Sequence, residues 1–450
     1  MSSRYAFNLK GGNMAKLRGM IIFLIFFILF FSPLVSWESD IPAILSLKER
    51  AAVVDNWLKI RLDTLLPELM RRENLDMWLV ICQEYNEDPV YLTLVPYTSL
   101  AARRLTMLVF FDRGEEGVER LAVSRYGIRN FYQGVWEPQK IDQWECLDQV
   151  IKERGPERIG ISESDTFAFG DGLSASLKTK LVRVLGPDYS SRLVPAEGLA
   201  VGWLERRIPE ELEVYPHIVA IAHGIIAEAF SRKVITPGVT TTQDLSWWIR
   251  ERIRELGLTT WFQPSISIQR SKGSRHKGDV IHRGDLLHCD IGITYLGLNT
   301  DTQEHAYVLQ ESETDAPPGL QEALKLGNRL QDILIGEFKA GRTGNEILAS
   351  SLKKAKEEGL DASIYTHALG FHGHGAGPTI GLWDKQDGVP GKGDYPLYHD
   401  TCHSIELNVK VNIQEWGGQE VRIALEQDAA FVREGVYFLD GRQTAFHLIK

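Results

Sequence analysis

From residue 40 to about 200, apolar residues alternate between two spacings. Between Ile44 and Arg72 they recur at helical intervals, ending in LLPELMRR. Short apolar runs follow at 77–82 (MWLVIC), 105–111 (LTMLVFF), 120–124 (RLAVS) and 158–162 (RIGIS). Runs of that length between helical stretches predict buried strands of an α/β domain. Residues 187–208 read as a connection. Pro209-Glu210-Glu211 then opens a long helix with Ile218, Ala222, Ile225, Ile226 and Ala229 on its apolar face. Pro237-Gly238 interrupts the chain, and Thr241 with Asp244 predicts a capping box for a second helix through Trp248, Ile249, Ile253 and Leu256. Beyond Gly257 strands dominate, with helices predicted near 319–337 and 344–358. The expected fold is a two-domain α/β chain, with domains at 40–200 and 205–450.

The amino terminus has a different character. Residues 20–35 (MIIFLIFFILFFSPLV) follow Lys16 and Arg18 and lead to small residues at Ser36. A basic start, a short apolar run and a small-residue exit predict a signal peptide over 1–36, with an uncleaved signal anchor as the alternative. The body is then expected to be secreted or periplasmic, and membrane-anchored only if that segment stays. Residues 1–36 carry four basic residues and no acid, which leaves 46 basic against 60 acidic residues in the body, or −14. That balance gives no electrostatic footprint for nucleic acid or anionic lipid. Cys82, Cys146, Cys289 and Cys402 show no CxxC spacing, which excludes a disulfide scaffold and a thiolate zinc site.

Candidate chemistry lies in the second half. Residues 285–309 (DLLHCDIGITYLGLNTDTQEHAYVL) form two apolar segments around Tyr295-Leu296-Gly297. A hairpin closing there is expected to set Asp290 opposite Asp301 on one face, about 5 Å apart at Cβ. Two carboxylates so placed repel, and Asp290 sits in an apolar run, so a cation is expected between them. Residues 403–413 and 419–432 flank a second turn at Glu415-Trp416-Gly417-Gly418. Its centre puts residue 426 or 427 opposite Glu406, which selects Glu426 from the nearby acids, with Glu420 the second choice. Between the hairpins, His367, His372 and His374 crowd a glycine-rich segment, THALGFHGHGAGP. Neutral imidazole is a good ligand for transition metals. Four carboxylates and an imidazole fit a pair of divalent ions.

This ordered series resembles the pita-bread-fold metallopeptidases: Xaa-Pro aminopeptidases, prolidases, methionine aminopeptidases and creatinase. Asp290 and Asp301 have that family's eleven-residue spacing. Gly373-His374-Gly375-Ala376-Gly377 resembles its Gly-His-Gly-x-Gly ligand motif, and Glu406 and Glu426 resemble its two glutamates. The stretch RLDTLLPELMRRENLDMWLV resembles the amino-terminal domain of creatinase, prolidase and aminopeptidase P. The resemblance implies a creatinase-like N-terminal α/β domain followed by a pita-bread (α+β) catalytic domain. It implies two divalent metal ions, Mn²⁺ first and Co²⁺, Zn²⁺ or Fe²⁺ as alternatives, held by Asp290, Asp301, His374, Glu406 and Glu426. His372 competes with His374 for the imidazole position. The resemblance also gives Glu406 a proton-transfer role and makes His367 and His276 substrate-contacting groups. The expected partners are a peptide substrate and a second copy in a homodimer.

Two positions depart from the family pattern. Leu407-Asn408 stands where the family has Pro-Gly after the first Glu, and Trp383-Asp384 where it has a His followed by an acid. The resemblance therefore implies a dinuclear exopeptidase of Xaa-Pro aminopeptidase or prolidase type. The alternatives are a family member kept as a binding protein, or a creatinase-like C–N hydrolase.

Overall fold

The computed structural model describes residues 41–450, so the expected signal segment lies outside the described residues. The first half is built on a six-stranded mixed sheet in the order β4-β3-β2-β1-β5-β6. Its strands are β1 (Met77–Gln83), β2 (Leu105–Asp112), β3 (Val118–Ala122), β4 (Gln133–Gly134), β5 (Ile159–Ile161) and β6 (Leu193–Pro195). The run MWLVIC has no polar alternation because both faces of β1 are covered. Met77, Leu79 and Ile81 enter one core, and Trp78, Val80 and Cys82 the other.

Two details differ from the sequence reading. The first helical stretch is Leu47–Ile60 and Leu66–Arg72 joined by a wider π-turn at Arg61–Leu65. Residues 187–208 are more than a connection, since they hold β6 and a buried helix, Glu197–Glu205. That helix carries Leu199, Val201, Trp203 and Leu204 into the first half's core. Its unbroken apolar content left no helical period to read.

The helix Pro209–Ala229 buries Ile218, Ala222, Ile225, Ile226 and Ala229, as its spacing requires. In Thr242–Glu255, Asp244 N–H donates to Thr241 Oγ1 and Thr241 N–H to Asp244 Oδ2, each at 3.0 Å. Short strands β7 (Thr259–Thr260), β10 (Ile293–Tyr295) and β11 (Leu298–Asn299) make a three-stranded sheet, and beside it stands a nine-stranded sheet with the path β13-β15-β16-β12-β9-β8. These are β13 (Asp361–Ile364), β15 (Thr401–Ile413), β16 (Gln419–Val432), β12 (Thr302–Val308), β9 (Leu286–Ile291) and β8 (Ser265–Gln269). Short strands complete the nine: β14 (His367–Leu369) adds to β15, β17 (Gly435–Phe438) to β16 and β18 (His447–Ile449) to β12. On β15 and β16 the odd-numbered residues Ile405, Leu407, Val409, Ile423 and Leu425 share a core with Leu320, Leu324 and Leu334 of helix Pro318–Ile335 and Ile347 and Leu348 of helix Gly344–Glu357. Strand period two then puts the even-numbered residues on the opposite face. Residues Ala43–Lys450 form one compact unit. Among the described residues no helix is long and apolar enough to cross a membrane.

The hairpin at 286–308 closes one residue later than expected. Its two-residue turn is Leu296-Gly297, with φ of 56° and 79°, and Tyr295 pairs with Leu298. Positive φ at both central positions is the type I′ geometry that suits the strand twist. Asp290 is therefore opposite Gln303, not Asp301. Asp301 lies two residues from Gln303, on the same face and diagonal to Asp290.

Candidate metal centre

The even face of the large sheet collects the chemistry in two adjacent rows. One row crosses five strands: Ser265, Asp290, Gln303, Glu426 and Glu406, each paired with the next. Two residues along, His367 pairs with Ser404 and Ser404 with Asp428. Asp301 joins this second row by donating its backbone N–H to the Asp428 carboxylate at 3.2 and 3.3 Å. Regular pairing across strands distant in sequence thus concentrates acids that the sequence scatters over 137 positions, Asp290 to Glu426 inclusive.

The ligand atoms form three overlapping triads: Asp290, Asp301 and Glu426; His367, Glu406 and Glu426; and Asp301, His367 and His374. Within each, the candidate ligand atoms lie within 4.8 Å of one another. His367 Nε2 is 3.4 Å from Asp301 Oδ2, 3.5 Å from Glu426 Oε1 and 4.0 Å from Glu406 Oε2. Its Nδ1 donates to the Ala368 carbonyl at 3.0 Å, so Nε2 is the nitrogen turned toward the acids, and its lone pair is free once a cation replaces the proton there. Neither His367 Nε2 nor Asp290 Oδ1 has a hydrogen-bond partner, although both are buried. Unsatisfied buried acceptors aimed at a common point are what a cation corrects.

The electrostatics carry the same message. Burial, with Glu426 next, pushes the Asp290 carboxyl up to about 8. Burial and the Glu426 charge also hold Asp301 and Glu406 well above the usual carboxylate range. For His367 burial acts downward, but Glu426 and Glu406 outweigh it and raise the imidazole to about 9. Without cations the cluster therefore retains protons. The donor set, carboxylates with one neutral imidazole nitrogen, fits divalent transition metals.

The structure treats the expected site residues unequally. Asp290, Asp301, Glu406, Glu426, His367 and His374 converge. Glu406 pairs directly with Glu426, one of the two positions the turn allowed, whereas Glu420 pairs with Asn412 and reaches Lys410 at 3.9 Å near the exposed tip. His367 is buried among three carboxylates, whereas His374 is exposed and meets only Asp301 among the acids. His374 packs edge-on against Trp261 at 5.0 Å. His372 stacks on Phe169 with ring centroids 4.3 Å apart and belongs to none of the triads. His276 is not brought to the cluster. It stacks on His282 at 3.7 Å, past the end of β8, which runs away from Asp290 after Ser265.

Several supporting groups escaped the sequence reading. Gln303 Nε2 donates to Glu406 Oε1 at 2.6 Å and to Glu426 Oε2 at 2.7 Å, and its Oε1 faces His288 Nε2 at 2.8 Å. Burial depresses His288 to about 4, so its neutral ring can donate to that oxygen. Ser404 Oγ donates to Glu426 Oε1 at 2.6 Å. The signal was present in the sequence, because Gln303, Asp428 and Ser404 each stand two positions from a candidate ligand on a strand. The His loop is held from below. Asn299 donates its backbone N–H and its Nδ2 to the Gly370 carbonyl, at 2.9 and 3.1 Å. The guanidiniums of Arg61 and Arg207 clamp the Phe371 ring at 4.8 and 4.6 Å.

A nine-stranded sheet backed by two helices, with an acid–imidazole cluster on its other face and a smaller α/β half before it, defines a two-domain protein of pita-bread type. Residues 217–430 match the model of metallopeptidase family M24. Similar solved structures include an X-Pro aminopeptidase from Thermotoga maritima MSB8, at 16% identity and TM-score 0.59, covering 85% of this chain and 99% of that one. A Xaa-Pro dipeptidase from Bacillus anthracis also gives 16% and 0.59, covering 88% and 100%. The N-terminal domain of FACT complex subunit SPT16 from Cicer arietinum shares the fold at 11% identity and TM-score 0.51, covering 90% and 98%. No curated protein matches the chain by sequence search. Residues 217–430 thus form a metallopeptidase family M24 domain, and the described chain has the pita-bread fold of the solved structures it matches.

Proposed function

We propose that the protein is a dinuclear metal-dependent exopeptidase acting on short peptides at Xaa-Pro bonds. The carrying observation is the convergence of Asp290, Asp301, Glu406, Glu426 and an imidazole on one face of the sheet. Asp290, Asp301, His367, Glu406 and Glu426 are the residues that would hold the two ions. His367 takes the imidazole position in this assignment because it is buried among the acids, and His374 moves to the rim as a substrate contact. Bound there, divalent ions such as Mn²⁺ supply Lewis acidity and a water nucleophile near neutral pH. Glu406 is partly exposed, with its Oε2 not engaged by Gln303, so it can take a proton from the attacking water and pass it to the leaving amine. Gln303 and Ser404 fix both glutamates in the required orientation. The signal-like segment at 20–35 supports a location outside the cytoplasm.

The second reading is a binding protein that keeps the fold without turnover, and Trp383-Asp384 in place of a His and an acid favours it. The deciding experiment combines metal analysis with assays on Xaa-Pro peptides after loading with Mn²⁺, Co²⁺ or Zn²⁺. Two metal equivalents and hydrolysis are expected. Metal uptake with no turnover under any of these ions would transfer the protein to the second reading.

A further inference from the structure

Beside the acid row, on the same sheet face, lies a cavity of about 450 Å³ lined by Ser363, Tyr365, Trp383, Asn408, Lys410 and Arg422. It adjoins the metal centre by register. On β15, Asn408 and Lys410 follow Glu406 at two-residue steps, and on β16 Arg422 stands opposite Lys410. At about 3.3 Å per residue, Asn408 is about 7 Å and Lys410 about 13 Å from Glu406 along the strand. Tyr365 N–H donates to the Glu406 carbonyl at 3.1 Å, which fixes the other wall to the same residue.

The polar chemistry of the lining is dominated by donors. Tyr365 Oη accepts from Arg422 Nη2 at 2.6 Å and from Asn408 Nδ2 at 3.2 Å. An oxygen that accepts twice has its own O–H left to give. Arg422 and Asn408 also keep further N–H groups. No carboxylate lines the cavity, and Arg422 has no ion-pair partner among the described residues, although it is exposed. Lys410 at the outer rim is shared with Glu420 at 3.9 Å and faces Asp361 across the strand pair, so Arg422 is the principal cation. The exposed Trp383 adds an apolar wall. Asn408 and Trp383 are also the places where the chain departs from the family pattern. A glycine at 408 would offer no side-chain amide.

From this geometry we infer that the cavity is an anion subsite that reads a free carboxylate of the substrate, one or two residues beyond the bond being cleaved. An extended chain advances about 3.5 Å per residue, and the arginine side chain reaches back toward the centre, so a di- or tripeptide spans the gap. This rests on the peptidase reading above for the bond cleaved, but not for the binding itself.

The test uses metal-loaded full-length protein and non-cleavable Ala-Pro analogues with a reduced scissile bond, as free acid and as terminal amide, titrated calorimetrically. The free acid is expected to bind roughly 10–100-fold tighter, the range for a charge-assisted contact. Arg422→Met and Tyr365→Phe should each remove most of that ratio. An analogue with an amidated terminus and its only carboxylate on a glutamate side chain separates a terminal from a side-chain source. Equal binding of acid and amide to the wild-type protein, or a ratio that survives Arg422→Met, would overturn the subsite. Failure of the peptidase reading shows separately, as absent turnover of Ala-Pro, while the binding ratio still decides the subsite.

Discussion

Each acid in the cluster is defined by its place in a strand pair more than by its own sequence neighbours. Glu426 and Glu420 have the same parity on β16, so both point to the same face, but six residues separate them along the strand. Glu426 is buried and bonded to Gln303 and Ser404, whereas Glu420 is solvated near the turn. Glu426→Gln should therefore lower kcat/KM by at least about 10²-fold, on the scale of losing a group that organises transition-state charge, while Glu420→Gln stays within about twofold. Steady-state assays on both variants check this, and a dead Glu420→Gln beside an active Glu426→Gln would mean that the site is drawn on the wrong end of β16. The two histidines separate in the same way. His367→Ala should lose metal as measured by equilibrium dialysis, because its Nε2 is the unpaired nitrogen among three carboxylates. His374→Ala should keep the metal and raise KM. Full metal retention in His367→Ala would restore His374 to the ligand position.

At the scale of elements, the site depends on a few tight approaches between loop and sheet. A Cβ at Gly373 would lie 2.1 Å from Trp261 Cε2, and Trp261 is fixed by donating its indole N–H to the Thr300 carbonyl at 2.9 Å. Gly373→Ala must therefore displace the indole or the His loop, at a cost of about 1–3 kcal/mol, the range for overpacking. Gly273 is the control, since its Cβ would meet nothing closer than 3.7 Å and its backbone is unstrained. Thermal melts should show a lowered midpoint for Gly373→Ala only; equal midpoints would show that the loop can yield. The elements themselves were largely legible. The apolar runs gave β1, β2, β3 and β5, and the capping box marked the helix at Thr242. The glycine-rich turn placed Glu406 against Glu426. What could not be read was packing that spans elements. The first hairpin's turn is centred one residue later than expected, on Leu296-Gly297 with Leu296 a non-glycine at positive φ, so the pairing shifts by two and Asp290 faces Gln303. His276 has a plausible position in the sequence, yet β8 carries it away from the cluster. The choice between His367 and His374 depends on burial, which spacing within a glycine-rich loop does not encode.

At the scale of the whole molecule, the two halves and the metal centre are mechanically linked. Arg61, on the π-turn of the first half, is buried and pairs with Glu211 at the start of the helix Pro209–Ala229. It also donates to the backbone carbonyls of Trp203 and Arg206 and covers the Phe371 ring of the His loop. Arg61→Met leaves the two carbonyls unpaired while Glu211 keeps Arg207 at 3.3 Å, so it should destabilise the fold by about 1–3 kcal/mol in denaturant unfolding, the range for buried acceptors left unsatisfied. Protons and metal ions link the centre to global stability in a second way. The shifts of Asp290, to about 8, and of His367, to about 9, are both upward, as are those of Asp301 and Glu406. In the unfolded chain carboxyls release their protons near pH 4 and histidine near 6.5. The metal-free folded state thus holds protons that the unfolded state has lost, so its stability is favoured at low pH and declines as pH rises from about 4 toward 9. Divalent ions replace those protons and offset the decline, and they compete poorly where the protons are still bound. The rise in melting temperature on adding Mn²⁺ should therefore be small at pH 5 and grow steadily through pH 8. Differential scanning calorimetry at a fixed excess of ion measures it, with Asp301→Ala as the comparison in which the growth should be largely lost. A metal-induced rise that is the same at pH 5 and pH 8 would mean that this cluster is not where the ions bind.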